Sequence, residues 1–462
     1  MALDDRHPTW ATSNRFVPRT FVRPLLRFTE AKTASGVLLL VAAAVALAWA
    51  NSPWSDSYVE IFRQTRLELN FGPVHLDESI GHLINDGLMT VFFFVVGLEI
   101  KRELVLGDLR DPKAAALPVM AAVGGMVVPA LIYASVTLSV GGEAMAGWGV
   151  PMATDIAFVV GVVALLGDRV PPGAKLFILA LAIVDDIGAI IVIALFYGSG
   201  LSVGWVATAL VGVILIWGAQ RAGIRSHAFY VPIAVAIWYA TLESGIHATL
   251  AGVVIGFLTP ARALYSAREL DMKARMILDT FPIGSSVRDE ERADHEAAVL
   301  TEIATESIAP LNRLEMRLLP WTSFVIVPLF ALANAGVRFS SDGVATPELT
   351  RVAVGVSVAL FAGKTVGITA FSWLAVRTGW GRLPVGTGWR HVVGLAATAG
   401  IGFTVALFVT SLAFATDALA DAAKVGIFVG SVVSGLVGAS ILWRARPVVL
   451  ESGAMDEAEL RA

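Results

Sequence analysis

Asp185 and Asp186 stand side by side in Leu181-Ala-Ile-Val-Asp-Asp-Ile-Gly-Ala-Ile190, where every other residue is aliphatic or small. An ionisable side chain in such surroundings costs a few kcal/mol at the centre of a bilayer and marks a functional position. Neighbours on a helix point about 100° apart, so one carboxylate can face a cavity while the other meets a different helix. Desolvation and mutual repulsion couple the protonation of two such acids. A pair of this kind can shed protons when a cation arrives.

Asp86, Asp155 and Lys364 also lie in apolar runs, with His82, His247 and His391 nearer the ends of theirs. Four acids against one base suit a pathway for cations. Lys364, in Ala362-Gly-Lys-Thr-Val-Gly367, calls for a buried aspartate as partner, because an unpaired charge there is strongly unfavourable. In Pro151-Met-Ala-Thr-Asp-Ile-Ala-Phe158 a proline, small residues and the Thr154-Asp155 pair interrupt an apolar helix. Thr398-Ala-Gly-Ile-Gly-Phe-Thr404 is a similar interruption. Unwound backbone offers carbonyls to a cation, and half-helix ends leave partial charges that a buried aspartate can offset.

The elements that must position these groups are membrane helices. Charged residues make up 16% of the 462, against about a quarter in soluble domains, and 56% are hydrophobic. Mean hydropathy is +0.73. Runs near 20 residues are long enough to cross hydrocarbon as helices. About twelve such spans are expected, near 34–51, 79–100, 114–138, 149–166, 175–197, 201–219, 228–243, 245–260, 318–337, 352–376, 391–414 and 425–443. With the N-terminus inside, only Arg63, Arg66, Arg338, Arg351 and Lys424 of the 34 basic residues fall outside. Lys364 lies within a span and the rest face the cytoplasm, as the positive-inside rule requires. Both termini are therefore expected inside.

Residues 1–32 form a basic cytoplasmic segment, too long and polar for an ordinary signal-peptide start, so the first helix is expected to be retained. Residues 33–446 form the transporter domain, with a long cytoplasmic loop over 261–317 in which Thr301 to Arg317 can form an amphipathic turn or two. Residues 447–462 are an acidic cytoplasmic tail. A net charge of −4 argues against nucleic acid, and the absence of cysteine excludes disulfides and thiolate chemistry. A proton-coupled symporter for an organic solute needs a polar or aromatic pocket, whereas the flanks of 185–186 are small or aliphatic. An intramembrane aspartyl protease needs two carboxylates converging on one water, and adjacent aspartates diverge. A passive channel seldom buries a lysine in its path.

The chain resembles the NhaA-type sodium/proton antiporters from about residue 29 to 446. The resemblance is carried by Asn85-Asp-Gly-Leu-Met89 through Glu103, Ala153-Thr-Asp-Ile-Ala-Phe158, and Leu181 to Tyr197. His247-Ala-Thr-Leu-Ala-Gly252, Pro328 to Gly336, Gly363-Lys364 and Gly400-Ile-Gly-Phe-Thr404 extend it. It implies an all-α polytopic membrane fold with inverted repeats and two interrupted helices crossing at mid-membrane. Asp186 would be the principal ligand of sodium or lithium, with Asp185 beside it and paired to Lys364. Asp155 and Thr154 would sit at the crossing. Glu99, Arg102, Glu103, His247 and Glu315 match positions linked to pH-dependent activation. The family exports sodium against entering protons, electrogenically and for sodium and pH homeostasis, as a homodimer in the bacterial inner membrane. It is a secondary transporter, not an enzyme, with Na+, Li+ and H+ as cargo, lipid as partner and no cofactor. Met316 and Leu319 stand where better-known members carry histidines, and the loop over 261–312 is longer than theirs. His247 and the carboxylates are therefore expected to set the pH profile alone.

Overall fold

The computed structural model describes residues 34–71, 74–198, 200–282, 287–338 and 346–445; the segment 1–32 and the tail 447–462 lie outside them. In hydrocarbon every backbone amide must be satisfied internally, and within a single apolar run only the helix does this. In chain order the helices are α1 (Ala34–Ala50), α2 (Ile80–Val105), α3 (Pro112–Thr137), α4 (Ile156–Leu165), α5 (Pro172–Phe196), α6 (Val203–Arg221), α7 (His227–Glu243) and α8 (Thr249–Leu258). They continue with α9 (Ala267–Asp279), α10 (Val287–Glu306), α11 (Pro310–Asn334), α12 (Pro347–Arg377), α13 (Trp389–Thr398), α14 (Phe403–Ala413) and α15 (Asp417–Arg444).

Among the described residues seven helices, α2, α3, α5, α6, α11, α12 and α15, are long and apolar enough to cross a membrane. Two bent pairs raise the number to nine: the 3₁₀ segment Gly142–Met152 with α4, at 42°, and α13 with α14, at 47°. Helices α1, α7 and α8 are apolar but shorter. Large apolar side chains such as Leu131, Leu195, Ile214 and Leu436 stand exposed on the outside, while charged groups are buried within. Such an inversion suits a lipid solvent.

Three features depart from the reading of the sequence. The connection between α1 and α2 holds an antiparallel hairpin, β1 (Arg66–Phe71) with β2 (Val74–Ser79), in a chain expected to be all helix. The loop over 261–317 is largely helical, through α9 and α10, and Ser266 and Glu269 close a reciprocal capping box on α9. Its last residues belong to α11, which begins at Pro310 instead of near 318.

One close crossing sets the position of the buried lysine. Gly124 on α3 and Gly367 on α12 face each other so tightly that a Cβ on either would lie 2.3 or 2.1 Å from the other's carbonyl oxygen. Small residues at such a crossing let two helices approach at backbone distance. The π-turn Ala359–Gly363 directly precedes Lys364 on the same helix.

Candidate functional site

The two helix breaks are joined to one another. The Asp155 N–H donates to the Ile401 carbonyl at 2.7 Å, and the Thr154 hydroxyl donates to the Ala399 carbonyl at 3.0 Å. Glycine is required on the second strand of this junction. A Cβ at Gly400 would lie 2.4 Å from Ser434 Oγ and 2.5 Å from the Leu360 carbonyl oxygen. Asp155 is the N-cap of α4: its Oδ1 accepts the Phe158 N–H at 3.2 Å. Its Oδ2 accepts from Thr404, near the start of α14. A carboxylate between two helix N-termini meets the positive ends of both dipoles.

Lys364 reaches this junction from α12. Its ammonium donates to Asp185 Oδ2 at 2.6 Å, to Thr154 Oγ1 at 2.9 Å and to the Met152 carbonyl. All three of its N–H donors are thus engaged. Lys364 is fully buried and Asp185 nearly so, at 1% exposure. Breaking such a pair by removing one partner leaves a buried charge and is strongly unfavourable.

Asp186 is different. It is 8% exposed and, among the described residues, makes no hydrogen bond or ion pair. Asp185 Oδ1, on the adjacent residue, is buried without a hydrogen-bond partner. No group of three or more His, Cys, Asp or Glu side chains among the described residues is arranged to hold a metal ion. A cation arriving here would draw on the two aspartates together with hydroxyl and backbone oxygens, a hard oxygen set suited to an alkali ion.

Of the other residues singled out in the sequence, four form one cluster. Arg102 touches Glu315 of α11 and lies 3.4 Å from Glu103 and 3.9 Å from Glu99. Lys101 donates to the carbonyls of Phe257 and Thr259 at 2.7 and 2.5 Å, closing the C-terminus of α8. His247 does not join the cluster. Its Nε2 lies 2.6 Å from the carbonyl of Tyr197, at the end of α5. Asp86 pairs with His82 at 3.2 Å, and His82 lies 3.3 Å from Glu78. Thr404 and the Met152 carbonyl are parts of the site that the sequence reading missed; Thr404 closes the interrupted segment Thr398–Thr404 that it quoted.

The family model described as Na+/H+ antiporter 1 matches residues 26–442. The Na(+)/H(+) antiporter NhaA of Anaeromyxobacter sp. (strain Fw109-5) is 48% identical over 423 residues, 91% of each chain. That of Koribacter versatilis is 46% identical over 426 residues, 92% of each chain. The Na(+)/H(+) antiporter NhaA 2 of Myxococcus xanthus is 43% identical over 459 residues, 97% of this chain and 96% of its own.

Proposed function

The chain belongs to the Na+/H+ antiporter 1 family, and from that premise we propose that it exports sodium in exchange for protons at Asp186. It is a multi-pass membrane protein and a secondary transporter, not an enzyme. The observation that carries the reading is the contrast between two neighbours. Asp185 has a lysine, whereas Asp186 is buried with neither hydrogen bond nor direct ion pair among the described residues. A bare carboxylate away from water is costly, so Asp186 holds either a proton or a cation. One site that takes either ligand, and never both, exchanges them.

Sodium seated between the two aspartates would draw Asp185 from Lys364, which then releases a proton. Asp186 and Lys364 together thus exchange two protons for one sodium ion. One net charge moves inward per cycle, and the membrane potential contributes about 2.3 kcal/mol per charge per 100 mV. A ligand shifts the inward- and outward-open states only by its different affinity for each. Lithium, with the same charge and hard-oxygen preference, is the alternative cargo.

The arrangement extends to the whole chain. Twelve crossings result if α1, α7 and α8 are added to the nine apolar spans, which keeps both termini, the connection over 261–317 and the Arg102 cluster on the cytoplasmic side of a bacterial inner membrane. That cluster is assigned to pH regulation, and the protein to homodimers as the NhaA resemblance implies. Sodium-induced proton release from purified protein tests the exchange: Asp186→Asn removes the charge at nearly constant shape and is expected to abolish it. Release at wild-type size from that variant would end the proposal.

A further inference from the structure

The helix that carries Lys364 has an apolar trough on its outer side. It lies between the C-terminal half of α12 and the start of α13, holds about 460 Å³, and is lined by Thr365, Val366, Thr369, Trp373, Trp389 and Val393. Val366 is 56% exposed and Trp373 47%, so the trough opens away from the protein. The Thr369 hydroxyl, among these lining residues, is buried without a hydrogen-bond partner. A chain seated in the trough gains dispersion contacts along its whole lining.

One arginine stands at the rim and two more lie nearby in the chain. The Arg377 guanidinium lies over the Trp373 ring, 4.9 Å from its centroid, and Arg390 follows Trp389 directly in the chain. Arg382 adds a third positive charge to the connection, and all three arginines are exposed. From Thr365 to Thr416 the sequence contains no aspartate or glutamate. None of the three arginines pairs with a described carboxylate. Tryptophans of this kind sit at the level of lipid headgroups, and uncompensated basic residues beside helix ends attract anionic lipid.

We propose that the trough binds one anionic phospholipid, its acyl chain lying between α12 and α13 and its phosphate between Arg377 and Arg390. The proposal rests on the reading of both helices as membrane-spanning and is independent of which ion is carried. The molecule bridges the helix of Lys364 to the half-helix that leads into the Ala399–Gly402 break, and so holds the two in register.

Native mass spectrometry on delipidated protein supplied with phosphatidylglycerol or phosphatidylcholine reads the site directly. Wild type is expected to retain one phosphatidylglycerol more than Arg377→Gln/Arg390→Gln, whose affinity falls about thirtyfold from the loss of two basic residues near the surface. Ala370→Phe fills the trough with the arginines intact and is expected to lose the same molecule; Ala370 lines it as well. Equal retention in wild type and both variants overturns the proposal, as does equal retention of the two lipids. A second copy of the chain in the trough, seen as a disulfide-linked dimer of Val393→Cys, also overturns it. Proton release measured on the same samples separates the two readings. A wild type that binds the lipid but exchanges no ions supports this site and defeats only the antiport reading.

Discussion

Thr404 gives both of its donors to a single oxygen of Asp155. Its backbone N–H lies 3.0 Å from Oδ2 and its hydroxyl 2.5 Å. The other carboxylate oxygen takes the Phe158 N–H, so one side chain completes the first turn of two half-helices from different spans. Helix N-termini leave orphan donors that must be satisfied somewhere. Here the two ends share their acceptor.

Thr404→Val keeps the shape and removes the hydroxyl donor. A hydrogen bond to a charged group contributes about 1.5–3 kcal/mol, so denaturation should show a loss of that size. Exchange in everted vesicles is expected to slow about tenfold or more, since about 1.4 kcal/mol is a factor of ten. Thr404→Ser restores the donor and should restore both. A valine variant with wild-type rate would show that the shared acceptor is unimportant for transport.

Lys364→Met tests the pair on the opposite side of the junction. Removing the ammonium leaves Asp185 buried and uncompensated, which costs about 3–5 kcal/mol. Adding Asp185→Asn to that variant removes the stranded charge and should recover most of the stability, while the exchange ratio remains altered. Thermal denaturation of the two single variants and the double variant yields the coupling. Strictly additive losses would mean that the 2.6 Å contact carries no net interaction.

Much of this site was legible because ionisable residues stand out in apolar runs. Asp155, Asp185, Asp186 and Lys364 declare themselves by context, and Pro151, Gly400 and Gly402 mark the breaks. Which of the adjacent aspartates takes the lysine is a rotation of about 100° that local sequence does not specify. The Gly124–Gly367 approach places Lys364 beside Asp185, a tertiary fact. Thr404 was hidden for the same reason, since its partner lies in another span. The helices over 267–306 were under-read because they carry no apolar run, although Ser266 and Glu269 have capping-box spacing. The strand Arg66-Leu-Glu-Leu-Asn-Phe71 alternates with period two, and a search for 20-residue runs passes over it.

Tyr197, the residue that caps the end of α5, offers a pH control. Its hydroxyl donates to the Ala146 carbonyl at 2.7 Å and accepts the Gly149 N–H at 3.0 Å. Burial pushes the phenol from 10.0 up to about 12. The raised value means that the stability from burying the neutral ring is fully present below pH 10 and is lost as pH rises from 10 to about 12. The phenol therefore stays neutral below pH 10. Tyr197→Phe should cost about 1 kcal/mol of stability and leave the activation midpoint in place. A moved midpoint would bring Tyr197 into the regulating set.

Arg102 stands among three carboxylates, Glu99, Glu103 and Glu315, drawn from α2 and α11. Met316 and Leu319, on the same helix as Glu315, are exposed and carry no titratable proton, so the proposed pH regulation would rest on the cluster at this end of α11. Glu315→Gln removes one negative charge and frees the guanidinium for the other two acids. The activation midpoint should move to lower pH by about one unit, equal to about 1.4 kcal/mol of changed interaction. Arg102→Gln withdraws the cation and should move it the other way. Opposite signs are the diagnostic, because loosening the contact between α2 and α11 would act alike in both variants. Sodium-stimulated exchange across pH, at saturating sodium, measures the midpoints. Shifts of the same sign would assign Arg102 and Glu315 to packing alone.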